Sequence, residues 1–218
     1  MNEFIIRKNN FLKKDIKGYY HTDYLGWQCP GNPDYLNIFK NTYNSYSIEK
    51  LKDAYKITED ILFHEIYEIY NRLNEYKITV CVVPRSKTNL QDTQLYFLKS
   101  VSDAISSIFD EYALVDYKSE EVISLIDDGT DFITRHTNTY TTHLGEKAPN
   151  YINDGLKPYP GITKDTCHIS PEIKGKHILL IDDIYTKNVN IDEDTIQALL
   201  DNGATGVTFY AVAKTIDR

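Results

Sequence analysis

Residues 176–213 constrain the fold more than any other stretch, because a strand, a loop, a helix and a second strand follow one another without interruption. KHILLI (176–181) is a continuous apolar run, as expected of a strand buried on both faces. NIDEDTIQALLDNG has helical spacing and is marked at both ends. Asn190 is placed to cap it, Glu193 stands where a capping-box acceptor belongs, and Gly203 supplies a left-handed C-terminal residue. VTFYAVA (207–213) is again a strand. Strand, helix and strand with apolar runs imply a right-handed parallel crossover, and so an α/β fold with a central parallel sheet flanked by helices.

The upstream segments fit the same class. ITVCVV (78–83) reads as a buried strand ended by Pro84. Ser47 caps a helix whose apolar residues are Ile48, Leu51, Tyr55, Leu62, Ile66, Ile69 and Leu73. A second amphipathic helix carries Leu95, Leu98, Val101, Ile105 and Ile108. ALVDY (113–117) suggests a short strand and EEVISLI a short helix. Residues 18–46, rich in Gly, Pro, Asn and Tyr, read as an irregular aromatic segment laid over the core. A length of 218 residues suits one domain with an extension, divided here as 1–75 (N-terminal extension and helix) and 76–218 (core). The long stretch 128–172 has the composition of a functional loop.

The chemistry concentrates between strand and helix at 182–190. Ligands of open parallel sheets bind beyond the carboxyl ends of the strands, where Asp182 and Asp183 emerge. The loop then runs into a helix N-terminus, whose N–H groups and dipole favour a phosphate. Thr186 adds a hydroxyl, Lys187 a positive charge, and Asn188 tolerates the left-handed backbone of a tight nest. Two carboxylates beside a phosphate cradle make sense if they accept from ribose hydroxyls or hold a hydrated Mg²⁺. No GxxxxGK[ST] is present, which argues against a P-loop NTPase.

The segment HILLIDDIYTKNVNIDEDTIQALLDNGATGVTFYAVAKT resembles the diphosphate-sugar motif of type I phosphoribosyltransferases, whose ComF-like, amidophosphoribosyltransferase-like branch is nearest in flavour. The shared features are Val83-Pro84 at a strand end, Arg135 and Thr137 in mid-chain, and Gly175-Lys176 before the motif strand. The resemblance is strong over about 40 residues and reaches back weakly to residue 78. It implies a Rossmann-like type I phosphoribosyltransferase fold with an N-terminal aromatic-rich extension. It further implies that Asp182 and Asp183 bind the ribose hydroxyls, and that the loop of Thr186, Lys187, Asn188, Val189 and Asn190 holds the 5-phosphate. Arg85, Ser86 and Lys87 would then touch pyrophosphate, with Arg135 a further candidate. The chain departs from the motif at Lys187, where a second Thr is common, at Asn188 in place of Gly, and at Asn190 in place of a small hydroxyl residue. The N-terminal zinc-binding cysteines of many ComF-type proteins are absent.

The resemblance implies transfer of a phosphoribosyl group from phosphoribosyl diphosphate (PRPP), bound with Mg²⁺, to a nitrogen acceptor with release of pyrophosphate. Residues 128–165 would form the lid. The alternative is a non-catalytic sensor of PRPP or a nucleotide, or an accessory protein of DNA uptake or defence. The net charge of -8 carries no general attraction for nucleic acid. No signal peptide or apolar span is legible, so a cytoplasmic protein is the expectation. Cys29, Cys81 and Cys167 read as incidental or buried thiols. The 18 tyrosines read first as packing residues, with base stacking as the sharper alternative, and a Tyr-rich surface would suit a homodimer. Arg85 and Lys87 could equally be solvated loop charges. His136, His143 and His168 read as loop or core residues, His64 as a surface one, and Trp27 as a packing anchor.

Overall fold

The computed structural model of the chain describes residues 1–26, 29–40, 46–115, 122–142 and 153–216. Trp27, His143 and the second half of ALVDY lie outside these residues. The central sheet has six strands: β1 (Asn2–Ile6), β2 (Ile16–Tyr24), β3 (Ile78–Val82), β6 (Ile126–Asp128), β9 (His177–Tyr185) and β10 (Gly206–Thr215), in the order β1-β2-β10-β9-β3-β6. Every neighbouring pair is parallel except β1 with β2, so the sheet is mixed, with one antiparallel edge strand. The strands β4 (Leu114–Val115) and β5 (Val122–Ile123) pair with each other, as do β7 (Ile133–Arg135) and β8 (Cys167–Ile169).

The sheet is covered on both faces. α1 (Asp34–Lys40), α2 (Ile48–Leu73) and α3 (Asp92–Tyr112) enclose one core, to which β3 and β9 contribute Val80, Val82, Leu179 and Ile181. The alternate residues Cys81, Ile178 and Leu180 face a second core, with Ile196 and Leu199 of α5 (Ile191–Asp201). This period-two division explains why β3 and β9 read as unbroken apolar runs: each residue meets one core or the other. The short α4 (Ile162–Thr166) packs beside α5. Among the described residues, no helix is long and apolar enough to cross a membrane.

Local signals hold where the pattern was clear. The Ser47 side chain accepts from Lys50 N–H, and Gly203 has φ +94°. Two segment readings are corrected. Residues 18–46 are not wholly irregular: Ile16–Tyr24 is strand β2, parallel to β10, with Tyr19 and Tyr24 buried, and α1 follows. EEVISLI is not a helix over its described part, because Ile126 pairs in parallel with Ile78 and Val122 pairs with Val115. Cross-strand pairing of the β-branched Val122, Ile123 and Ile126 decides the described part. Packing is the role of Tyr19, Tyr24, Tyr185 and Tyr210, all buried, while His64 lies on the surface with its side chain 70% exposed.

Candidate functional site

Two crossovers leave the adjacent strands β3 and β9 in opposite directions. β3 leads through α3 to β6 on one side, and β9 leads through α5 to β10 on the other. Strands that diverge in this way open a crevice at their carboxyl ends. The cleft there is lined by Pro84, Arg85, Ser86, Arg135, Asp182, Asp183, Thr186 and Val189. Lys40, Gln94, Thr139–Thr142 and Asp192 complete its wall.

The two aspartates do not lie past the strand. β9 continues through them to Tyr185, because Ala211 and Ala213 of the long β10 pair with Asp182 and Ile184. Asp183 is buried; its Oδ2 accepts from Arg85 Nη1 at 2.8 Å and its Oδ1 from Ile184 N–H at 2.7 Å. Burial opposes its ionisation, but the charges of Arg85 and Lys40 with these hydrogen bonds prevail and hold its pKa below the ordinary value. Asp182 behaves in the opposite way. Burial, then the charge of Asp183, push its carboxyl up to about 7, while its Oδ1 accepts from Asp183 N–H at 2.8 Å. Asp192, 4% exposed in the first turn of α5, is driven well above the carboxylate range by burial and by Asp182. Burial and the neighbouring carboxylate thus raise both Asp182 and Asp192 above the ordinary carboxylate range.

Arg85 leaves β3 towards β9 and lies over the Phe97 ring at 5.4 Å from its centroid. Its Nη2 is buried and has no hydrogen-bond partner among the described residues. Arg135 braces the turn that presents Arg85: Nε donates to the Arg85 carbonyl, Nη2 to the Pro84 carbonyl at 3.4 Å, and Nη1 to Thr166 Oγ1 at 2.6 Å. Ser86 Oγ and Thr141 Oγ1 lie 2.7 Å apart, and Thr139 N–H donates to the Ser86 carbonyl at 2.7 Å. The 139–142 segment is thereby fastened to the β3 turn. Lys87 faces elsewhere, donating to the Asp154 carbonyl and to Oδ1 at 2.6 and 2.7 Å.

The loop after β9 has the left-handed backbone expected at Asn188, with φ 71°. Val189 N–H closes a turn on the Thr186 carbonyl, and Thr186 Oγ1 lies 2.8 Å from Thr215 Oγ1. Asn190 does not cap α5 with its side chain. At φ 65° that side chain turns away, donating to the Asn188 carbonyl and accepting from Asn9 Nδ2, both at 3.0 Å. Nor does Glu193 close a capping box; it is buried and accepts from Tyr185 Oη at 2.9 Å. The acidic first turn still complements the helix dipole.

Of the residues singled out in the sequence, Arg85, Ser86, Arg135, Asp182, Asp183, Thr186 and Val189 converge on the cleft, while Lys87, Lys187, Asn188 and Asn190 are not among its lining residues. Asp192 and Lys40 were missed. Asp192 stands two residues past Asn190, inside the motif, but no role was read for it. Lys40 has no motif around it. The rings of His136 and His168 meet at 4.6 Å, tilted by 46°, at the end of the β7–β8 pair and outside the cleft lining. Among the described residues, no three His, Cys, Asp or Glu side chains are assembled to hold a metal ion. Compared with known proteins, the chain matches no family model and no curated relative.

Proposed function

We propose that the cleft binds phosphoribosyl diphosphate, and that the chain transfers the phosphoribosyl group to a nitrogen acceptor with release of pyrophosphate. The observation that carries this reading is the meeting of Arg85, with an unsatisfied guanidinium nitrogen, and the paired carboxylates of β9 beside a left-handed loop at a helix N-terminus. An anion completes the hydrogen bonding of Arg85. Asp182 and Asp183 supply acceptors for vicinal sugar hydroxyls, and the loop of Thr186 to Asn190 lies where its N–H groups and the dipole of α5 receive a phosphate. The raised pKa values of Asp182 and Asp192 favour a less negative cleft, which suits an anionic ligand.

Displacement at the anomeric carbon needs no protein nucleophile. The residues position the sugar and stabilise the departing diphosphate. The hard oxygen donors Asp182 and Asp183 suit Mg²⁺ arriving with the diphosphate, since that ion is commonly held by one or two carboxylates together with ligand phosphates. When bound it would neutralise charge on the leaving group.

The test is isothermal titration of phosphoribosyl diphosphate, with and without Mg²⁺, into the native chain and an Asp182→Asn/Asp183→Asn variant. Micromolar binding by the native chain and none by the folded double variant is the expected result; equal affinities would overturn the assignment. A specific observation favours a second reading, a sensor without turnover. Arg85 is already neutralised by Asp183, and Lys87 by Asp154. Tight binding with no pyrophosphate release across a panel of nucleobases and amines would select it.

A further inference from the structure

We propose that Lys40 is a ligand-binding residue, brought into the cleft by the N-terminal part of the chain to meet the diphosphate group of the ligand. The inference rests on the phosphoribosyl diphosphate reading above and adds to it a residue and the group it recognises.

Lys40 ends α1, which packs against α2, α3 and β9. It lines the cleft together with Asp182, Asp183, Asp192 and Arg85. Its Nζ lies 4.8 Å from the centroid of the Tyr24 ring at the end of β2. Beyond that ring it has no ion pair or hydrogen bond with a described residue, although three carboxylates share the cleft. Two of those carboxylates already have a protein donor at one oxygen: Asp183 takes Arg85, and Asp182 takes the Asp183 N–H. The neighbouring cations are occupied as well. Arg135 braces backbone carbonyls, and Lys87 is paired with Asp154.

Burial lowers the Lys40 pKa, while the nearby aspartates act in the other direction. A desolvated ammonium without an oxygen partner is costly. Its donors are best satisfied by an acceptor that enters the cleft. Arg85 carries the same deficit at Nη2, and the two cations stand around Asp183. A diphosphate, with charge on two linked phosphorus centres, suits two cations better than a single phosphate does. As the last residue of α1, Lys40 also complements the helix dipole, which accounts for its tolerance there but not for its direction into the cleft.

Phosphoribosyl diphosphate, ribose 5-phosphate and inorganic pyrophosphate are titrated into the native chain, Lys40→Gln and Lys40→Arg, each checked by circular dichroism. Lys40→Gln should weaken phosphoribosyl diphosphate by about tenfold or more and leave ribose 5-phosphate within about twofold, with Lys40→Arg recovering most of the loss. Undiminished phosphoribosyl diphosphate binding by Lys40→Gln overturns the Lys40 assignment and leaves the broader reading intact. A native chain that binds pyrophosphate through Lys40 but not phosphoribosyl diphosphate does the reverse. Binding of neither by the native chain ends both.

Discussion

Arg85 and Asp183 are joined at 2.8 Å with side chains only 18% and 7% exposed. Removing one member of so buried a pair strands the other, which costs about 3–5 kcal/mol. Arg85→Met should therefore lower the urea midpoint sharply. Arg85→Met/Asp183→Asn should recover part of the loss, since it leaves no lone charge. The Asp182–Asp192 pair has the opposite electrostatic sense. The folded pKa of Asp182 is raised from 3.8 to about 7, and that of Asp192 is raised as well, so the native state holds protons that the unfolded chain has released. Their contribution is complete below the unfolded value and is lost as pH rises through the folded one, with a slope of up to about 1.4 kcal/mol per pH unit for one proton. His177, whose pKa is lowered chiefly by burial, acts in the other direction. Unfolding free energies of the native chain and Asp192→Asn between pH 5 and 8 cancel the histidine in their difference. The native chain should lose stability relative to the variant as pH rises.

At the scale of elements, α4 and α5 depend on one side chain. The Asp194 carboxylate accepts from Gly161 N–H at 2.5 Å and Thr163 N–H at 2.7 Å, capping α4 from the first turn of α5. Asp194→Ala removes both acceptors and should cost roughly 1.5–3 kcal/mol, with faster amide exchange at Gly161 and Thr163 as the local signature. Elements buried on two faces were legible: ITVCVV and KHILLI could satisfy no other environment. The helices were legible in extent but less so in orientation. Val101, Ile105 and Ile108 are buried as their spacing indicates, yet Leu95 is 48% exposed, because the inner face of α3 turns Phe97 and Ala104 inward, and Ile48, the first residue of α2, is 64% exposed. β2 was hidden because Gly18 and a run of tyrosines look like a turn. The glycine is needed there, since a Cβ would come within 2.7 Å of the Phe4 ring. Asp182, Asp183 and Arg85 were found because strand ends announce themselves locally. Lys40 was not, because its place in the cleft comes from tertiary packing.

The molecule is built so that its N-terminal segment covers the strand at the far end of the chain. β2 pairs in parallel with β10 from Phe209↔Gly18 to Thr215↔Tyr24, and Tyr210 Oη donates at 2.5 Å to buried Glu65 of α2. Removal of residues 1–46 would leave β10 as an unprotected, apolar parallel edge. Such a fragment should elute as aggregates or oligomers in size-exclusion chromatography with light scattering. A native-like monomer would mean that the first strands are dispensable. The same pairing has a consequence for synthesis. Tyr24 leaves the ribosome roughly 180 residues before Gly206, which at ~5–20 residues per second is on the order of ten to forty seconds. During that interval β1 and β2 have no permanent neighbour, and the cleft wall that includes Lys40 has nothing to close against. β1 and β2 are made long before the strand they pair with, so a nascent chain stalled before β10 holds an exposed hairpin for chaperones to engage.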